Sequence, residues 1–542
     1  MDVLQEFSAA NNQDFLLSGR PLKREDYAGS EEIKLSKNAS LTDDDVFLYS
    51  ADLDILDNLD DVFSIANYHN QVIAQKYRMK RDYYKGRHYD IIHREKKPLN
   101  KPDSRLVINL PKKLVNTFNG YFSGDPVSIK HQTDGNGDDT WNDKIQEWLT
   151  ECDYSDVFSE WAKQADIYGR SYLYAYLVES KLNFTVSSPR DTIVVYDDTV
   201  MHNPLFGIRY STGDGEIIPT LIMKDANYVL EKKDGKVSVT NADAADPKNV
   251  QKSDMHKFSQ LPLIEFAEDD ERTGIFDDVI SLIDAIDSVL SAKTNDISSF
   301  ADAYLVIKGV KLSKEQLKEI QDNRLINLYL EKKASFTPDA SVQPSAEFMT
   351  PDSNDETQEH LLDRAIDLVY QISQVVNLND SSVGMSAQAI SGVALLQRYQ
   401  PMQAKARTKA LKMDKALRQL FGILFSDVDG WRNASLKVSD LAFEHKRSIP
   451  HNLTEEAGIV DKMNGQVDDV TKLGLFSGID NPEKAVQRLK DQEAEEADLA
   501  APQLQSYLSD QKKGGGVVDN PAAGTGSHPT TSQPGQSNGP TK

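Results

Sequence analysis

The spacing of apolar residues divides the first half of the chain into helices followed by strands. Val62–Tyr83 and Ile145–Tyr168 have apolar residues at helical intervals, and Trp148, Phe158 and Trp161 are predicted to face inward. Runs of alternating polar and apolar residues, separated by glycine-containing turns, are typical of hairpin strands. These predicted strands are Ser171–Val178, Thr192–Tyr196, Gly207–Ser211, Ile217–Met223 and Tyr228–Lys232. The pattern predicts an α+β region with an antiparallel sheet.

The second half of the chain is predicted to be mainly helical. Asp269–Phe300 carries an apolar stripe at intervals of three and four residues, and aspartates occupy much of the remaining surface. The stripe consists of Ile275, Phe276, Val279, Ile280, Ile283, Ile286 and Leu290. A small α/β insertion follows, with strands at Tyr304–Ile307 and Leu325–Leu330 around a helix at Ser313–Asp322. The next helix, Asp355–Val376, has its own stripe, formed by Leu361, Ile366, Val369 and Ile372.

Small polar residues at Asn377–Gly392 predict a loop between two strong helices. The helix after it is predicted to run from Ala387 to Phe425, a length of roughly 60 Å at 1.5 Å per residue. Pro401 lies inside this range and is expected to kink the helix. Residues 436–510 are predicted to be helical and highly charged. Residues 511–542 are rich in Gly, Pro, Ser and Thr, which predicts disorder.

A block from Arg81 to Val127 combines several local signals. A turn at Lys85-Gly86 precedes a basic, proline-containing linker, and Leu106–Ile108 reads as a short strand. Pro111 then marks the first turn of a helix, where its missing N–H would have no partner in any case. From the residues alone, this block predicts a strand followed by a helix.

The chain is acidic, with a formal net charge of −24 in 542 residues. This charge argues against a protein that coats nucleic acid with Lys and Arg, but it suits a wall along which DNA slides. On charge alone, simple solubility is the favoured explanation. Acidic residues are concentrated in residues 1–60, which contain 14 Asp or Glu and 5 Lys or Arg. We interpret this segment as an exposed, partly ordered arm; a solvated acidic face without a partner is the alternative.

No sequence signature of an enzyme is found. The phosphate-binding glycine loops, the Gly-x-Ser-x-Gly elbow and the His-Glu-x-x-His motif are absent from the sequence. The single cysteine, Cys152, excludes an intrachain disulfide and reads as a small core residue. Asp197-Asp198 follows a strand and is better explained as turn capping than as an acid/base pair. We therefore predict no catalytic residue, no metal site and no cofactor.

Two further patterns allow more than one interpretation. Asp134, Asn136 and Asp138 have the spacing of part of a calcium loop, but the glycine and the final glutamate of such a loop are missing, so a polar loop is favoured. The long helix contains many cations that could bind DNA or pair with an acidic neighbouring subunit, and pairing is favoured because no aromatic residues are interleaved. These cations are Arg398, Lys405, Arg407, Lys409, Lys412, Lys415 and Arg418.

Membrane and secretion signals are not apparent in the sequence. No apolar window approaches the length of a transmembrane helix, and the first residues lack the charged start and apolar core of a secretory signal. Together with the lone cysteine, this predicts a protein of the reducing cytoplasm or of a particle assembled there, with no membrane partner.

Four segments resemble the sequence of tailed-bacteriophage portal proteins, particularly those of long-tailed phages of Gram-positive hosts. The Arg81–Val127 block is the first, and the order and spacing of all four make the resemblance specific. The others are Ile167-Tyr168-Gly169-Arg170-Ser171-Tyr172, the pair Val195–Thr199 with Pro204–Tyr210, and Gly392-Val393-Ala394-Leu395. The similarity covers about residues 60–480. Members of this family form the ring at one capsid vertex through which DNA enters and leaves.

The resemblance implies a division of the chain into the parts of a portal subunit, in an α+β, mainly helical fold. These are an acidic N-terminal arm (1–60), an α+β wing (61–268), a stem helix (269–303), a small α/β clip (304–350), a second stem helix (351–376), a tunnel loop (377–391), a long kinked wing helix (392–435), a helical crown (436–510) and a disordered tail (511–542). The expected assembly is a homo-oligomeric ring, typically of twelve subunits.

Candidate site residues follow from the same resemblance. The tunnel loop would face DNA with Asn379, Asp380, Ser381, Ser382, Val383, Gly384 and Met385. The candidates for the stem wall of the channel are Asp277, Asp284 and Asp287, although aspartates on the solvated face of any amphipathic helix would look the same. The clip candidates are Lys308, Lys311, Lys314, Glu315 and Lys318.

The resemblance implies a channel for packaging, retention and ejection of double-stranded DNA. The clip would dock the large subunit of the terminase during filling and the head-completion adaptor afterwards, and the wing would contact the major capsid protein and the scaffolding protein. The expected location is the portal vertex of the virion, after assembly in the host cytoplasm. The first alternative is a head–tail connector or scaffold-like ring that does not translocate DNA. The second alternative, an enzyme of the packaging apparatus, is disfavoured by the missing motifs.

Overall fold

The computed structural model describes residues 34–494 with several gaps. The gaps are residues 99–101, 133–139, 214–215, 244–245, 252–254, 301–303, 309–344, 350–354, 378–396, 433–435, 448–452, 464, 475, 477 and 480–481. The chain divides into two compact units, Met1–Ile449 and Pro450–Lys542. Among the described residues, no helix is long and apolar enough to cross a membrane.

The first unit contains nine described α-helices. They are α1 (Leu59–Tyr68), α2 (Ala74–Tyr84), α3 (Tyr89–His93), α4 (Leu110–Ser123), α5 (Thr140–Glu151), α6 (Tyr154–Tyr168), α7 (Ile280–Phe300), α8 (Asp355–Ser373) and α9 (Gln400–Asp427), together with a π-helical turn (His69–Ile73) that joins α1 to α2. Helix α4 begins as the sequence predicts, because Pro111 lies in its first turn and the side chain of Asn109 accepts the N–H of Lys112. A 3-10 turn, Asp277–Val279, leads into α7.

The strands form one large sheet and several small ones. The seven-stranded sheet has the order β1 (Ala39–Leu41), β2 (Phe47–Tyr49), β6 (Thr192–Asp197), β7 (Pro204–Gly213), β8 (Glu216–Ile222), β9 (Asn227–Lys233), β10 (Lys236–Val239). A three-stranded sheet has the order β13 (Leu263–Ala267), β4 (Arg170–Val178), β5 (Lys181–Ser187). The two-stranded pairs are β3 (Ser128–His131) with β16 (Leu441–Glu444), β11 (Ala242–Asp243) with β12 (Asp246–Val250), and β14 (Tyr304–Lys308) with β15 (Ser345–Met349). The α+β prediction is confirmed.

The end of the predicted acidic arm is part of the large sheet. Strand β2 pairs with β6 in parallel, and Phe47 and Tyr49 are buried. Asp61 accepts hydrogen bonds from Ser36, Asn38 and Tyr49, which ties this segment to helix α1. The prediction of an exposed arm over 1–60 is therefore wrong for residues 39–49, because apolar residues between the aspartates supply a strand. Residues 1–33 lie outside the described part of the chain.

The core confirms the apolar patterns of the wing and of α7. Trp148, Phe158 and Trp161 face inward, and Cys152 is a buried free thiol whose pKa is raised to about 11 by burial. The stripe of α7 is also buried at Ile275, Phe276, Val279, Ile283 and Ile286. The hydrophobic core therefore extends continuously from the sheets to the first turns of α7.

Helix α8 differs from its predicted stripe. Val369 is buried as expected, but Leu361 and Ile372 are 55% and 44% exposed. Leu362 and Tyr370 are buried instead. Consecutive residues lie about 100° apart around a helix, so the buried face of α8 includes Val369 but is turned away from Leu361 and Ile372, toward Leu362 and Tyr370.

The long helix and the start of the predicted crown also differ from prediction. Pro401 lies in the first turn of α9 rather than inside it, so no interior kink is needed among the described residues. The described helix has 28 residues, about 42 Å at 1.5 Å per residue. Residues 436–510 were predicted to be helical, which is wrong at Leu441–Glu444, because this strand pairs with Ser128–His131.

The described secondary-structure elements of the second unit are helices. Helix α10 spans Leu453–Lys462 and α11 spans Asp469–Gly474, and residues 482–494 are also helical. The side chain of Asp468 accepts the N–H and the hydroxyl of Thr471, which caps the start of α11.

Candidate functional site at the base of helix α7

The predicted site residues fall into two groups. All the tunnel-loop residues, 379–385, lie outside the described part of the chain, as do Lys311, Lys314, Glu315 and Lys318 of the clip. Lys308 is described as the last residue of β14. Asp277, Asp284 and Asp287 all lie at the base of α7, where this helix meets the sheets. The described candidate site is therefore this junction.

A close backbone contact joins the end of α6 to the segment that leads into α7. Gly169 ends α6 with φ of 88°, and a Cβ there would lie 1.8 Å from the carbonyl oxygen of Arg272. A Cβ on Gly274 would lie 2.7 Å from the carbonyl oxygen of Ile167, and the N–H of Ile275 donates to the carbonyl of Asp166 (2.9 Å). Glycine is therefore required in the Tyr-Gly-Arg motif by both conformation and space.

Asp277 caps the start of α7 instead of facing open solvent. Its Oδ2 accepts the N–H of Gly274 at 2.7 Å and pairs with the Nζ of Lys80 at 2.5 Å. Lys80 also donates to the carbonyl of Tyr168 at 3.1 Å, so one lysine of α2 holds both sides of the junction. An acidic side chain at a helix N-terminus also interacts favourably with the helix dipole.

Asp284 lies seven residues after Asp277, about two helical turns further on, and is partly buried. Both of its carboxylate oxygens accept the hydroxyl of Tyr83, at 2.9 and 3.0 Å. Burial raises the pKa of Asp284 to about 6, although the hydrogen bond from Tyr83 favours the ionised carboxylate. Burial and the nearby Asp284 carboxylate in turn raise the pKa of Tyr83.

Asp287 is completely buried, which is at odds with its predicted place on a channel wall. Its Oδ2 is hydrogen bonded to the Nδ1 of His88 at 2.5 Å, and its Oδ1 accepts the N–H of Ile108 at 2.8 Å. The ring of His88, also completely buried, stacks on that of Tyr83 with centroids 4.7 Å apart. A single aspartate thus joins α7 to two segments of the Arg81–Val127 block.

The polar face of α7 continues this contact as a series of hydrogen bonds. Ser291 Oγ accepts the N–H of Leu106 at 2.9 Å, and Asn295 Oδ1 accepts the N–H of Ser104 at 2.6 Å. Ser291 and Asn295 are four residues apart on the helix, a rise of about 6.0 Å. Leu106 and Ser104 are two residues apart in an extended segment, a distance of about 6.6 Å, so the spacings of the two partners match. Residues 104–108 therefore pair with no described strand, and the predicted strand Leu106–Ile108 is wrong. Side chains of α7 accept the backbone N–H groups that a neighbouring strand would otherwise bind.

A buried ion network lies on one side of the junction. Lys409 of α9 pairs with Asp166 and, at 2.9 Å, with Glu268, and it donates to the carbonyl of Ala162 at 3.1 Å. The side chains of the lysine and of both acids are 0–1% exposed. Burial raises the pKa of Asp166 well above its ordinary value, although Lys409 opposes this. The prediction that Lys409 binds DNA or a neighbouring subunit is wrong, since its partners are in the same chain.

A second network lies at the start of the same segment. Glu265 accepts hydrogen bonds from Arg272 at 3.0 and 3.2 Å and from the hydroxyl of Tyr196, and Arg170 lies 3.5 Å from it. Burial opposes ionisation of Glu265, but the two guanidinium groups outweigh it and lower the pKa to about 2. Arg170 also donates to the carbonyl of Asp44, which connects the junction to the segment before β2.

The predicted role of Asp197-Asp198 as a turn is confirmed. Asp197 accepts the N–H and hydroxyl of Thr199 and the N–H and amide of Asn203, and Asp198 accepts the N–H of Ala51. The hydrogen bonds to Thr199 and Asn203 lower the pKa of Asp197. Both aspartates therefore stabilise the turn and its contact with residue 51.

Sequence reasoning found the three aspartates but missed the residues that they contact. Tyr83 and His88 flank Gly86 in the block that resembles portal proteins, and a histidine five residues after a tyrosine carries no periodic signal. Asp166 comes shortly before the Tyr168-Gly169 turn, and Glu268 comes directly after β13. An acidic residue next to a turn or a strand end was the signal from which these two residues could have been found. The clustering of these residues depends on contacts between segments about 200 positions apart.

The junction uses polar side chains to fix helix α7 to the sheet region. Comparison with known proteins identifies the family: the model of the phage portal protein, SPP1 Gp6-like, matches residues 64–499. The chain belongs to this family. It is also 25% identical over 325 residues to the portal protein of Bacillus phage SPP1, and this alignment covers 57% of the chain and 60% of the relative's length.

Proposed function

We propose that this protein assembles into the ring-shaped channel through which double-stranded DNA passes at one vertex of a phage capsid. The family match over residues 64–499 carries the proposal, because it includes the junction, both helices α7 and α8 and the strand pair β14–β15. The channel would serve packaging, retention and ejection of the genome. The role is structural, and the energy for packaging would come from another protein.

The arrangement around α7 and α8 supports this proposal. Lys293 of α7 pairs with Glu359 of α8, and the strands Tyr304–Lys308 and Ser345–Met349 lie next to these helices in the sequence and pair with each other. Two helices that lead to a small paired-strand element fit a stem that carries a clip. The base of this stem is the junction, which would hold the stem at a fixed angle to the sheets.

Exposed apolar side chains on the same helices support a ring. Leu361 and Ile372 of α8 and Ile297 of α7 are 55%, 44% and 62% exposed in the single chain. Neighbouring subunits in a ring would cover such residues, since a heterologous contact repeated around an axis closes into a ring. In such a ring, the exposed aspartates Asp278 and Asp296 are better placed to face DNA than the buried Asp287.

The native mass of the purified protein tests the assembly. The subunit has a mass of 60.6 kDa, so a ring of twelve has a mass of about 727 kDa. We expect a species near this mass, one subunit more or fewer included, by light scattering after size exclusion. A stable monomer under all conditions, including in the presence of capsid and scaffolding proteins, would contradict the proposal.

The loop at residues 379–385 provides the test of DNA translocation. Deletion of Ser381–Met385 is expected to leave the ring mass unchanged and to impair DNA filling or retention in a packaging reaction. A control that replaces the same five residues with glycine and serine keeps the loop length and separates length from side-chain identity. Intact rings with normal filling after deletion would favour the alternative, a head–tail connector or scaffold-like ring that does not translocate DNA.

The clip is proposed to dock the large terminase subunit during filling and the head-completion adaptor afterwards. Charge reversal of Lys311, Lys314 and Lys318 is expected to weaken binding of the packaging ATPase without changing the ring mass. Reversal of Lys232, an exposed lysine of β9, serves as the control. Equal binding by both variants would place the docking surface elsewhere.

The sheet region is proposed to contact the major capsid protein and the scaffolding protein. In this proposal the protein resides at the portal vertex of the virion, after assembly in the host cytoplasm. We expect the chain to copurify with capsid precursors. Substitutions in the sheet region should abolish this copurification, whereas substitutions in the clip should not.

A further inference from the structure

We propose that residues 1–17 of this chain dock in a basic groove at the end of the large sheet where β7 begins. We call it the α9 groove, because helix α9 forms one of its walls. Its lining includes three apolar residues and three cations, namely Pro204, Leu205, Leu261, Lys224, Lys415 and Arg418. Its volume of about 570 Å³ lies in the range of small-molecule sites, about 300–1,000 Å³, so a few side chains of a peptide fit. The docking is independent of the proposed channel function, because it is a contact within a single chain.

The walls of the α9 groove are held together by hydrogen bonds within the chain. Gln419 of α9 donates to the carbonyl of Leu261 at 3.3 Å. Near the end of the same helix, Asp427 accepts the N–H and the hydroxyl of Ser259 at 2.8 and 2.9 Å. Two positions of α9 therefore hold the segment that leads into β13, and the groove is a fixed feature of the fold.

The charge of the α9 groove is opposite to that of the protein as a whole. No aspartate or glutamate is among the described residues that line it, whereas the whole chain has a net charge of −24. The guanidinium group of Arg418 lies over the ring of Phe443, 5.3 Å from its centroid, which limits where this charge can lie. Lys224 and Lys415 are exposed. An acidic partner would therefore find complementary charge here.

The turn that leads into the α9 groove exposes two apolar side chains. Val200 and Met201 are 96% and 77% exposed, and Pro204, three residues after Met201, lines the groove. The buried carboxylate of Asp197 fixes this turn by accepting hydrogen bonds from residues on both sides of Val200 and Met201. Covering these side chains would remove apolar surface from water, so the surface favours a partner that is apolar as well as acidic.

Residues 1–17 have the composition that this surface requires. They include Asp2, Glu6 and Asp14 but no lysine or arginine. Their apolar residues include Val3, Leu4, Phe7, Phe15, Leu16 and Leu17. The acids would pair with the groove cations, and the apolar residues would cover Val200 and Met201. Duplex DNA would engage only the cations, because it presents phosphates, so the peptide segment is the better fit.

The position of β1 favours the same chain as the source of the segment. In the large sheet Ala39 pairs with Tyr49, which pairs with Asp197. The neighbouring Tyr196 pairs with Pro204, so β1 and β7 begin at the same end of the sheet. The order β1, β2, β6, β7 separates them by three strand spacings, about 14 Å. Residues 18–33 span up to about 53 Å when extended, so residues 1–17 can reach the groove of their own chain.

Binding of a synthetic peptide tests the α9 groove. The probe is a fluorescently labelled peptide of residues 1–17, titrated with the full chain and with a variant that lacks residues 2–17. We expect saturable binding to the deletion variant and binding at least about tenfold weaker to the full chain, because its tethered segment competes for the groove. An unlabelled DNA duplex should not displace the peptide.

Charge reversal locates the binding. In the deletion variant, Lys415→Glu and Arg418→Glu are each expected to weaken peptide binding by at least about tenfold, because an attraction becomes a repulsion. Arg407→Glu is the matched control, since Arg407 is exposed on the same helix but lies about 16 Å before Arg418 along its axis. This control should bind the peptide within about twofold of the deletion variant. A peptide with its three acids replaced by their amides should bind as weakly as the groove variants do.

A cross-link decides whether the segment comes from the same chain. Leu16→Cys and Met201→Cys are introduced together in the full chain, whose own Cys152 is a buried thiol. With a short bis-maleimide reagent we expect a cross-link within one chain, seen as a monomer band of altered mobility in a denaturing gel. Leu16→Cys with Ile297→Cys, at an exposed position of α7, is the control and should give much less of this product.

Several results would overturn the proposal. They are the absence of saturable peptide binding, equal weakening by Arg418→Glu and Arg407→Glu, and displacement of the peptide by the duplex, which would make nucleic acid the occupant. Cross-links formed only between chains would make a second copy the source. If a groove variant is unfolded by circular dichroism, the amide peptide decides the question with the groove unaltered. The native mass, measured separately, tests the channel proposal and leaves this result unaffected.

Discussion

Two buried ion networks flank the junction, and they have opposite charge balances. Glu265, within β13, faces two arginines, Arg170 and Arg272. Glu268, just after the same strand, shares the single Lys409 with Asp166. The first network thus has an excess cation, whereas the second has an excess carboxyl group. Both connect the segment before α7 to other elements, so they do similar structural work with different chemistry.

The difference shows how charge balance sets protonation in a buried network. With two guanidinium groups nearby, the pKa of Glu265 falls to about 2 and the side chain stays ionised. With one lysine for two acids, burial prevails and the pKa of Asp166 rises well above its ordinary value. A raised pKa favours the neutral form of the Asp166 carboxyl group, which costs less to bury than the ionised form.

Removal of the Lys409 side chain should have the largest effect on the free energy of unfolding. Lys409→Met leaves two buried acids without a cation and is expected to reduce the free energy of unfolding by about 3–5 kcal/mol at neutral pH. The deficit should shrink in acid, because the raised pKa of Asp166 lets this carboxyl group become neutral. Chemical denaturation at several pH values measures both effects.

Lys412→Met is the matched control for this prediction. Lys412 lies on the same helix and pairs with Asp270, whose side chain is 91% exposed, so a change within about 0.5 kcal/mol is expected. Equal destabilisation by the two variants would mean that the buried network does not differ from a surface ion pair.

Substitution of Gly169, in the turn between the two networks, should have the next largest effect on the free energy of unfolding. Gly169→Ala places a Cβ 1.8 Å from the carbonyl oxygen of Arg272 at a positive φ, so we expect a loss of about 2–4 kcal/mol in the free energy of unfolding. Gly235→Ala is the control, because Gly235 has a φ of 77° but no atom within 4 Å of the added Cβ. Its cost should be only the conformational part, about 1 kcal/mol. Similar losses in both variants would show that the close backbone contact is not needed.

Removal of the Glu265 charge from the first network should have a smaller effect on stability, and this effect should depend on pH. The folded-state pKa of Glu265 is about 2, below its ordinary value of 4.5, so its contribution to stability is present above pH 4.5 and is lost as the pH falls toward 2. Glu265→Gln is expected to cost about 2–3 kcal/mol at pH 7 and to remove this part of the acid dependence. Glu271→Gln, at an exposed position nearby, is the control. Parallel pH profiles for Glu265→Gln and the unaltered protein would refute the role of the two arginines.

Much of the fold could be predicted from local patterns. Strands β4 and β6 to β9, the helix at Pro111 and the buried stripe of α7 follow from periodicity and turn residues, because one face of each element must be apolar. Strand β5 (Lys181–Ser187) was not predicted. Failures came where a side chain replaced a backbone partner or where an apolar run was hidden among charges. Leu106–Ile108 looks like a strand but pairs with polar side chains of α7, and Phe47–Tyr49 joins a sheet despite the aspartates around it.

The candidate site was predicted only in part for the same reason. An aspartate on an amphipathic helix has the same sequence signal whether it faces solvent, a channel or a buried histidine. Asp277, Asp284 and Asp287 were therefore placed correctly on the helix but not among their partners. Lys409 was similarly read as a surface cation, because a buried lysine differs from an exposed one only in the elements packed around it.

The sequence by itself determined the α+β class, the position of several helices and strands, and the resemblance to a family. These depend on local spacing and on short motifs, which are properties of neighbouring residues. Only the tertiary structure decided that α7 is fixed by His88, Tyr83 and residues 104–108, and that Lys409 lies between Asp166 and Glu268. Burial and pairing of charges arise from contacts between distant segments, so they appear only when those segments are packed together.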